Sequence, residues 1–347
     1  MPHEDDRPRH GGALAAASVR WSIAAADWLD LSTGINPEPY PPTCPGRGDS
    51  ARLPDPFDLA ALIETARRAY QAPADTVIVA TPGSDIALRL LPLLRPKGRV
   101  AVLSPTYSGH AEAWRAAGHV VDAVAALDEA TRFDTVVLAN PNNPDGRRLT
   151  PDALVGALHA LPAEGLLMVD EAFADLEPAL SLAPRLADDR LIILRSFGKF
   201  YGLAGLRIGF VLGQGETLRR LGMLVGDWPL SGPAIRIGAA ALADDDWQTK
   251  TRRRLAAMAA RLDAILLGHG LAVAGGTDLF RLVRTKDATR LHHHLARCGI
   301  WTRVFSDLPG AIRFGLPPDD GFDRLERALA AFSSEADTGS LEENASK

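Results

Sequence analysis

Cysteine is scarce in this chain. Only Cys44 and Cys298 occur among its 347 residues, too few for a disulfide framework, so a reducing compartment is expected. No stretch approaches the roughly 18 consecutive apolar residues that a membrane span needs. The start, Met1-Pro2-His3-Glu4-Asp5-Asp6, is acidic where a secretory signal would be basic. The short apolar run 13–19 leads into Arg20 without a cleavage-like context. A soluble cytoplasmic protein is the expectation. Long basic runs are missing as well: 38 Lys and Arg against 43 Asp and Glu leave a net charge of −5, so no nucleic-acid footprint is expected. Neither G-x-G-x-x-G after the first strand nor G-x-x-x-x-G-K-[ST] occurs, which disfavours dinucleotide and P-loop nucleotide chemistry. There is no internal repeat. What is present is ordinary globular material, 46% apolar and 23% charged, long enough for two domains around a substantial core.

Strand-length and helix-length patterns alternate along most of the chain. Apolar, β-branched runs at 76–80, 99–103, 119–123, 135–139, 166–169, 191–194 and 206–212 read as strands, with helical patterns at 85–94 and 107–117. Continuous apolar strands between helices predict a mainly parallel sheet covered on both faces. After about residue 230 the pattern changes. One long helix is expected over 247–267, strands at 278–283 and 311–314, and helices at 287–296 and 322–332, together a smaller α/β domain. The Pro-rich stretch 36–56 is too broken for regular structure. The tail 334–347 lacks an apolar pattern and is expected to be disordered.

Three segments at predicted strand ends carry chemistry. The first is Ser196-Phe197-Gly198-Lys199-Phe200-Tyr201-Gly202-Leu203-Ala204-Gly205-Leu206-Arg207-Ile208-Gly209. A lone lysine in a glycine-rich turn is more often a surface residue. At a strand end of an α/β sheet, where ligands sit, it can instead form a Schiff base with a carbonyl. The second segment, Val169-Asp170-Glu171-Ala172, closes an apolar strand with two acids. The third, Asn140-Pro141-Asn142-Asn143-Pro144-Asp145-Gly146, follows the strand at 135–139 and has the composition of a turn.

Together these segments resemble the class I/II aminotransferases, pyridoxal-phosphate enzymes of fold type I. Every constrained position of the family's lysine signature is met. The resemblance implies a large domain with a mainly parallel seven-stranded sheet sandwiched by helices, plus a smaller α/β domain. The expected divisions are 1–35 for a segment joining the small domain and active site, 36–230 for the cofactor domain and 231–333 for the small domain. It implies that Lys199 bonds the cofactor, that Ser196 and Arg207 bind its phosphate, and that Asp170 holds the pyridinium nitrogen so that the ring stays an electron sink. Asn143 would donate to the ring oxygen. Thr81-Pro82-Gly83-Ser84-Asp85, between a strand and a helix, would place Gly83, Ser84 and Asp85 at a phosphate-binding helix start. Tyr107 would stack on the ring, and Arg313 would hold the substrate carboxylate. Phe173 stands where the family usually has Tyr, and Asp145 where it usually has Thr.

The N-terminal His10-Gly11-Gly12 and Ser32-Thr33-Gly34-Ile35-Asn36-Pro37, with the D-E-A-F and N-N-P-D-G-R variants, resemble the family branch that decarboxylates L-threonine O-3-phosphate in cobalamin synthesis. That branch is close to the histidinol-phosphate aminotransferases. The resemblance implies that His10, Gly11 and Gly12 meet the substrate phosphate, with Arg147 or Arg148 assisting, and that the loop holding Gly34 and Asn36 lies beside the carboxylate. The implied product is (R)-1-aminopropan-2-yl phosphate, and the implied partner is a second copy of the chain, with the active site near their interface. A Tyr before Pro-Asp-Pro, which relatives use across the subunit boundary, is Leu53 here. An aminotransferase using a phosphorylated substrate is the main alternative. A cofactor-binding regulator would need an appended DNA-binding region, which is not expected where the family pattern starts within the first thirty residues.

Two conspicuous clusters carry no chemistry in this reading. His292, His293 and His294 fall on a predicted helix, where neighbours project about 100° apart and cannot converge on a metal. Arg252, Arg253 and Arg254 are expected to form a solvated helix face.

Overall fold

The computed structural model describes residues 11–41 and 51–345. In chain order the first elements are α1 (Leu14–Trp21), β1 (Leu29–Asp30), α2 (Pro56–Ala69), β2 (Val77–Thr81), α3 (Ser84–Leu90), β3 (Arg99–Leu103), α4 (Gly109–Ala116) and β4 (Val120–Val124). Next come α5 (Leu127–Ala130), β5 (Thr135–Ala139), α6 (Pro151–Ala160), β6 (Leu166–Asp170), β7 (Leu191–Ser196), β8 (Gly209–Gly213), α7 (Gly215–Val225), α8 (Gly232–Ala243) and α9 (Asp245–Gly268). The last are β9 (Val273–Thr277), β10 (Phe280–Arg284), α10 (Ala288–Arg297), β11 (Ile300–Trp301), β12 (Arg303–Val304), β13 (Ala311–Gly315) and α11 (Gly321–Ala345). Helix α11 therefore runs through most of the tail expected to be disordered. None of the helices among the described residues is long and apolar enough to cross a membrane.

The chain divides into two compact units, residues 39–252 and residues 1–38 with 253–347. The second boundary lies 22 residues beyond the expected one, because α8 belongs with the large unit. Leu62 of α2 packs against Gly238 of α8, and Ser231 caps α8 by accepting from the Ala234 amide.

In the large unit, seven strands run in the order β2-β8-β7-β6-β5-β3-β4. All pairs are parallel except those of β8, which is antiparallel to both β2 and β7. Alternation along each strand sorts side chains onto two faces. Val100, Val102, Val137, Met168, Ile192 and Leu194 face one way and close a buried core with Leu88, Leu91 and Trp114. A fully buried side chain of this size contributes about 1.5–3 kcal/mol. Short connections are sharpened by capping. Asp55 accepts from the Phe57 amide with Pro56 in the first turn of α2, and Thr150 accepts from Ala153 at α6.

The small unit holds a four-stranded antiparallel sheet, β12-β13-β10-β9, and the parallel pair β1-β11. Trp28 and Trp301 meet edge to face at 5.7 Å, and with Ala17 and Ala296 they bury the inner side of α1.

Candidate active site

The sheet gathers the predicted cofactor residues along one edge of the large unit. Asp170 ends β6, paired with Leu194 on β7 and Ala139 on β5. Ser196 ends β7 opposite Gly209, which itself stands opposite Thr81 of β2. Asp170 and Ser196 continue the same alternation as Met168 and Leu194, so both lie on the face covered by α3 and α4.

The phosphate end is built by close backbone approach. A Cβ on Gly209 would lie 2.6 Å from the Gly83 carbonyl carbon, so only glycine lets β8 meet the start of α3. Gly83 itself has φ +82° and a Cβ there would run into the Arg207 guanidinium. Arg207 sits in the left-handed region at φ 55°, an uncommon conformation for a bulky residue that clusters at functional sites. No side chain caps α3, because its N-cap is Gly83, and Asp85 in the first turn is bonded to Arg89 at 2.9 Å. The first amides of α3 thus remain available to an anion beside Ser196 and Arg207.

The lysine turn follows at once. Phe197, Phe200 and Tyr201 are fully buried around half-buried Lys199, and Phe197 and Tyr201 stack at 4.2 Å. The Phe197 amide donates to the Ile208 carbonyl at 3.2 Å, which ties the turn to the start of β8.

At the ring end, Asp170 Oδ1 accepts from the Ala172 amide at 3.0 Å. Its Oδ2 lies 3.3 Å from Nε2 of His110, whose side chain is wholly buried. Sequence reasoning missed His110. Its only signal was its position three residues after Tyr107, on the first turn of α4. Tyr107 meets the His110 ring edge to face at 5.7 Å, and burial, then Asp85 and Asp170, push its phenol up to about 12. It is therefore neutral at ordinary pH. Asn140 and Asn142 are spent on structure: Asn140 brackets Leu149, and Asn142 donates to Asp145 in its own loop and to the Pro105 carbonyl in the loop after β3. Asp145 also accepts from the Arg147 amide, so the acid that replaces Thr organises the turn. Asn143 is half-buried and Phe173 buried.

These residues fit pyridoxal phosphate. There is an amine on a rigid turn, a carboxylate backed by a buried histidine for a protonated ring nitrogen, and an uncapped helix start with Ser196 and Arg207 for a phosphate.

The predicted substrate residues of the small unit also converge, around Ser32. The Gly12 amide donates to Ser32 Oγ at 2.7 Å, and Ser32 Oγ in turn donates to Asp30 at 2.6 Å. A Cβ on Gly11 would collide with the Ser32 carbonyl, and Arg313 Nη2 donates to that same carbonyl at 2.6 Å. Trp301 Nε1 holds the Gly12 carbonyl at 3.0 Å. Arg313 is buried, and desolvation, then Arg303, lower its pKa to about 10, with Asp30 opposing. It remains a cation at neutral pH. Gly34 is buried, while Asn36 Oδ1 accepts from the Glu38 amide. His10 lies outside the described residues. In the large unit, Arg147 reaches the Leu103 carbonyl at 3.2 Å, and Arg148 is paired with Glu177.

The arginine cluster departs from expectation. Only Arg253 is exposed. Arg252 donates to the Asp175 carbonyl, and Arg254 to the Glu38 carboxylate. In the histidine run, His292 Nδ1 lies 2.9 Å from Thr302 Oγ1 and His294 Nε2 2.9 Å from the Ala328 carbonyl.

The model of the family described as aminotransferase class I and II matches residues 56–332. A threonine-phosphate decarboxylase of Pseudomonas aeruginosa is 42% identical over 94% of this chain and 98% of its own length. One from a Sinorhizobium species is also 42% identical, over 92% and 97%. Among solved structures, the histidinol-phosphate aminotransferase of Sinorhizobium meliloti in complex with pyridoxal-5'-phosphate is similar, with a TM-score of 0.78 and 25% identity over 97% of this chain and 98% of its own.

Proposed function

The chain belongs to the class I and II aminotransferase family, and on that basis we propose that it decarboxylates L-threonine O-3-phosphate with pyridoxal phosphate, releasing carbon dioxide and (R)-1-aminopropan-2-yl phosphate for cobalamin synthesis. The observation that carries this reading is the 42% identity, over almost the whole of both chains, to two threonine-phosphate decarboxylases. The structural support is that Gly11, Gly12 and Arg313 meet around Ser32. The aminotransferase likeness reported above is more distant.

When bound, pyridoxal phosphate supplies the electron sink that accepts the pair left by departing carbon dioxide. The chain's residues do the rest. Lys199 would hold the cofactor through its amine and would return a proton to the substrate Cα. Asp170 keeps the proton on the ring nitrogen. Ser196, Arg207 and the first amides of α3 hold the phosphate, Asn143 donates to the ring oxygen, and Tyr107 stacks on the ring. Arg313 orients the substrate carboxylate, with Gly34 and Asn36 beside it. His10 and the Gly11 amide hold the substrate phosphate, with Arg147 assisting; the Gly12 amide, expected to join them, is instead committed to Ser32 Oγ.

A second copy of the chain completes the assembly in this reading. Leu53 and Trp228 flank one groove, and both are more than half exposed, as are Phe57, Met223 and Leu224. An apolar patch such as Leu53 and Trp228 share is where a partner surface docks. A reducing, cytoplasmic setting belongs to this reading, supported by a content of two cysteines.

The test is purified enzyme given threonine phosphate, with carbon dioxide measured against keto acid. Unphosphorylated threonine would forfeit charge-assisted hydrogen bonds worth roughly 1.5–3 kcal/mol each. Two such losses make threonine slower by about a hundredfold or more. Rapid amino transfer from histidinol phosphate to 2-oxoglutarate, with no carbon dioxide from threonine phosphate, would refute the assignment.

Arg313→Met separates binding from folding. KM should rise by about ten- to a hundredfold as a charge-assisted carboxylate contact is lost. Thermal stability should stay level or increase, because a buried cation beside Arg303 is removed. The sign follows from its lowered pKa. The folded chain binds fewer protons than the unfolded one between pH about 10 and the ordinary arginine range, so the penalty is full at neutral pH and eases above 10. A fall of several degrees in Tm would show that Arg313 stabilises the fold instead.

A further inference from the structure

The cofactor residues Asp170, Ser196 and Lys199 stand on two strand ends and a turn. Their sequence neighbours are joined. Glu171, the residue after Asp170, and Arg195, the residue before Ser196, point to the opposite face of the sheet by alternation. There they meet. Arg195 Nη1 donates to Glu171 Oε2 at 2.9 Å, and both residues are almost wholly buried. Glu171 also accepts from Ser181 Oγ at 2.5 Å and from the Leu182 amide at 2.7 Å. The other arm of Arg195 donates to Asp175, and its guanidinium lies 4.1 Å over the Tyr70 ring.

The chain of contacts goes on to the lysine turn. Arg252 Nε donates to the Asp175 carbonyl at 2.7 Å, and its guanidinium sits 5.2 Å over the ring of Phe200, the residue after Lys199. Each of the three cofactor residues thus has an adjacent residue in one buried network: Glu171, Arg195 and, through Arg252, Phe200. Two carboxylates balance two guanidiniums within it.

We propose that the Glu171–Arg195–Asp175–Arg252 network is a positioning device that sets the spacing of Asp170, Ser196 and Lys199, and so the grip on the cofactor ring, phosphate and carbonyl carbon. Stability does not account for it well. Apolar residues of the same volume commonly hold a fold as well as a buried ion pair, whereas paired charges enforce one geometry. Burial pushes the Glu171 carboxyl up, opposed by Arg195, Ser181 and Leu182.

This inference rests on the pyridoxal-phosphate reading, and the experiment separates the two. Wild-type protein, Glu171→Gln and Arg252→Gln are loaded with pyridoxal phosphate. For each, the cofactor dissociation constant, the visible absorption and circular dichroism of the bound cofactor, and Tm are measured. Glu171→Gln keeps the Arg195–Asp175 pair and nearly the same shape. It should weaken cofactor binding roughly tenfold, the effect of one charge-assisted hydrogen bond, and alter the visible dichroism. Arg252→Gln should change both readouts in the same direction. A lowered Tm with an unchanged dissociation constant and unchanged dichroism in both variants means a structural role only, and overturns the proposal. Should Glu171→Gln fail to fold, Ser181→Ala removes a single donor to Glu171 and is read identically, with unchanged cofactor readouts overturning the proposal. No visible band in the wild type would overturn the cofactor reading itself, and the network's role with it.

Discussion

Replacement of Lys199 by alanine is expected to lower decarboxylation by about four powers of ten or more. Two functions vanish with one amine. In the proposed mechanism Lys199 is the nucleophile that bonds the cofactor and the group that returns a proton to Cα, a role that alone is worth about 10²–10⁴. No neighbour can substitute, since the residues flanking it in the turn are Gly198 and Phe200, and Phe197 and Tyr201 beyond them are aromatic and fully buried. The fold should survive, because those buried aromatic side chains hold the turn. The measurement is direct. Wild-type protein loaded with cofactor is expected to be yellow, and borohydride should bleach the band and leave a phosphopyridoxyl group on Lys199 by mass spectrometry. The alanine variant should carry no such label while its Tm changes little. A label on another residue in the wild type, or substantial activity in the variant, would refute the assignment of Lys199.

Asp170→Asn is expected to lose about two to three powers of ten in kcat while still binding cofactor and still labelling Lys199. The carboxylate is largely enclosed, held on one oxygen by the Ala172 amide and approached on the other by buried His110. Removing one preorganised electrostatic group from a water-excluded site costs about 10²–10³ in kcat, which sets the size of the expected loss. The amide is nearly isosteric and can still accept from Ala172, so the loop should hold its shape. What the amide cannot do is stabilise a proton on the ring nitrogen, and the electron sink then weakens. Full activity in Asp170→Asn would remove Asp170 from the mechanism. Loss of cofactor binding with retained turnover per bound cofactor would make it an anchor only.

The cofactor half of the site was legible in the sequence because it is local. Lys199, Ser196 and Arg207 lie within one strand-turn-strand passage, and Asp170 and Asn143 each follow an apolar strand directly. Continuous apolar runs announced those strands, since a strand covered on both faces buries every side chain. Sequence by itself therefore determined the α/β class, the cofactor motifs and the family. It placed β2 and β8 as strands but could not show that β8 runs antiparallel, because direction depends on partners distant in the chain.

Tertiary structure alone decided the rest. It showed His110 behind Asp170, which no spacing rule had marked, because only the pairing of β6 and β5 brings α4 over that carboxylate. It moved the boundary of the large unit to residue 252, since α8 is claimed by its packing on α2 and not by its composition. It also took Arg252 and Arg254 out of solvent. A run of three arginines reads as a charged face while its partners are unknown, and those partners, Asp175 and Glu38, lie 77 and 216 residues away. Finally, it brought Gly12, Ser32 and Arg313 to one place. Burial and hydrogen bonding between segments separated by up to 289 residues are properties of the folded chain, and a one-dimensional pattern encodes periodicity and local turns but not which distant groups share a dry, charge-matched interior.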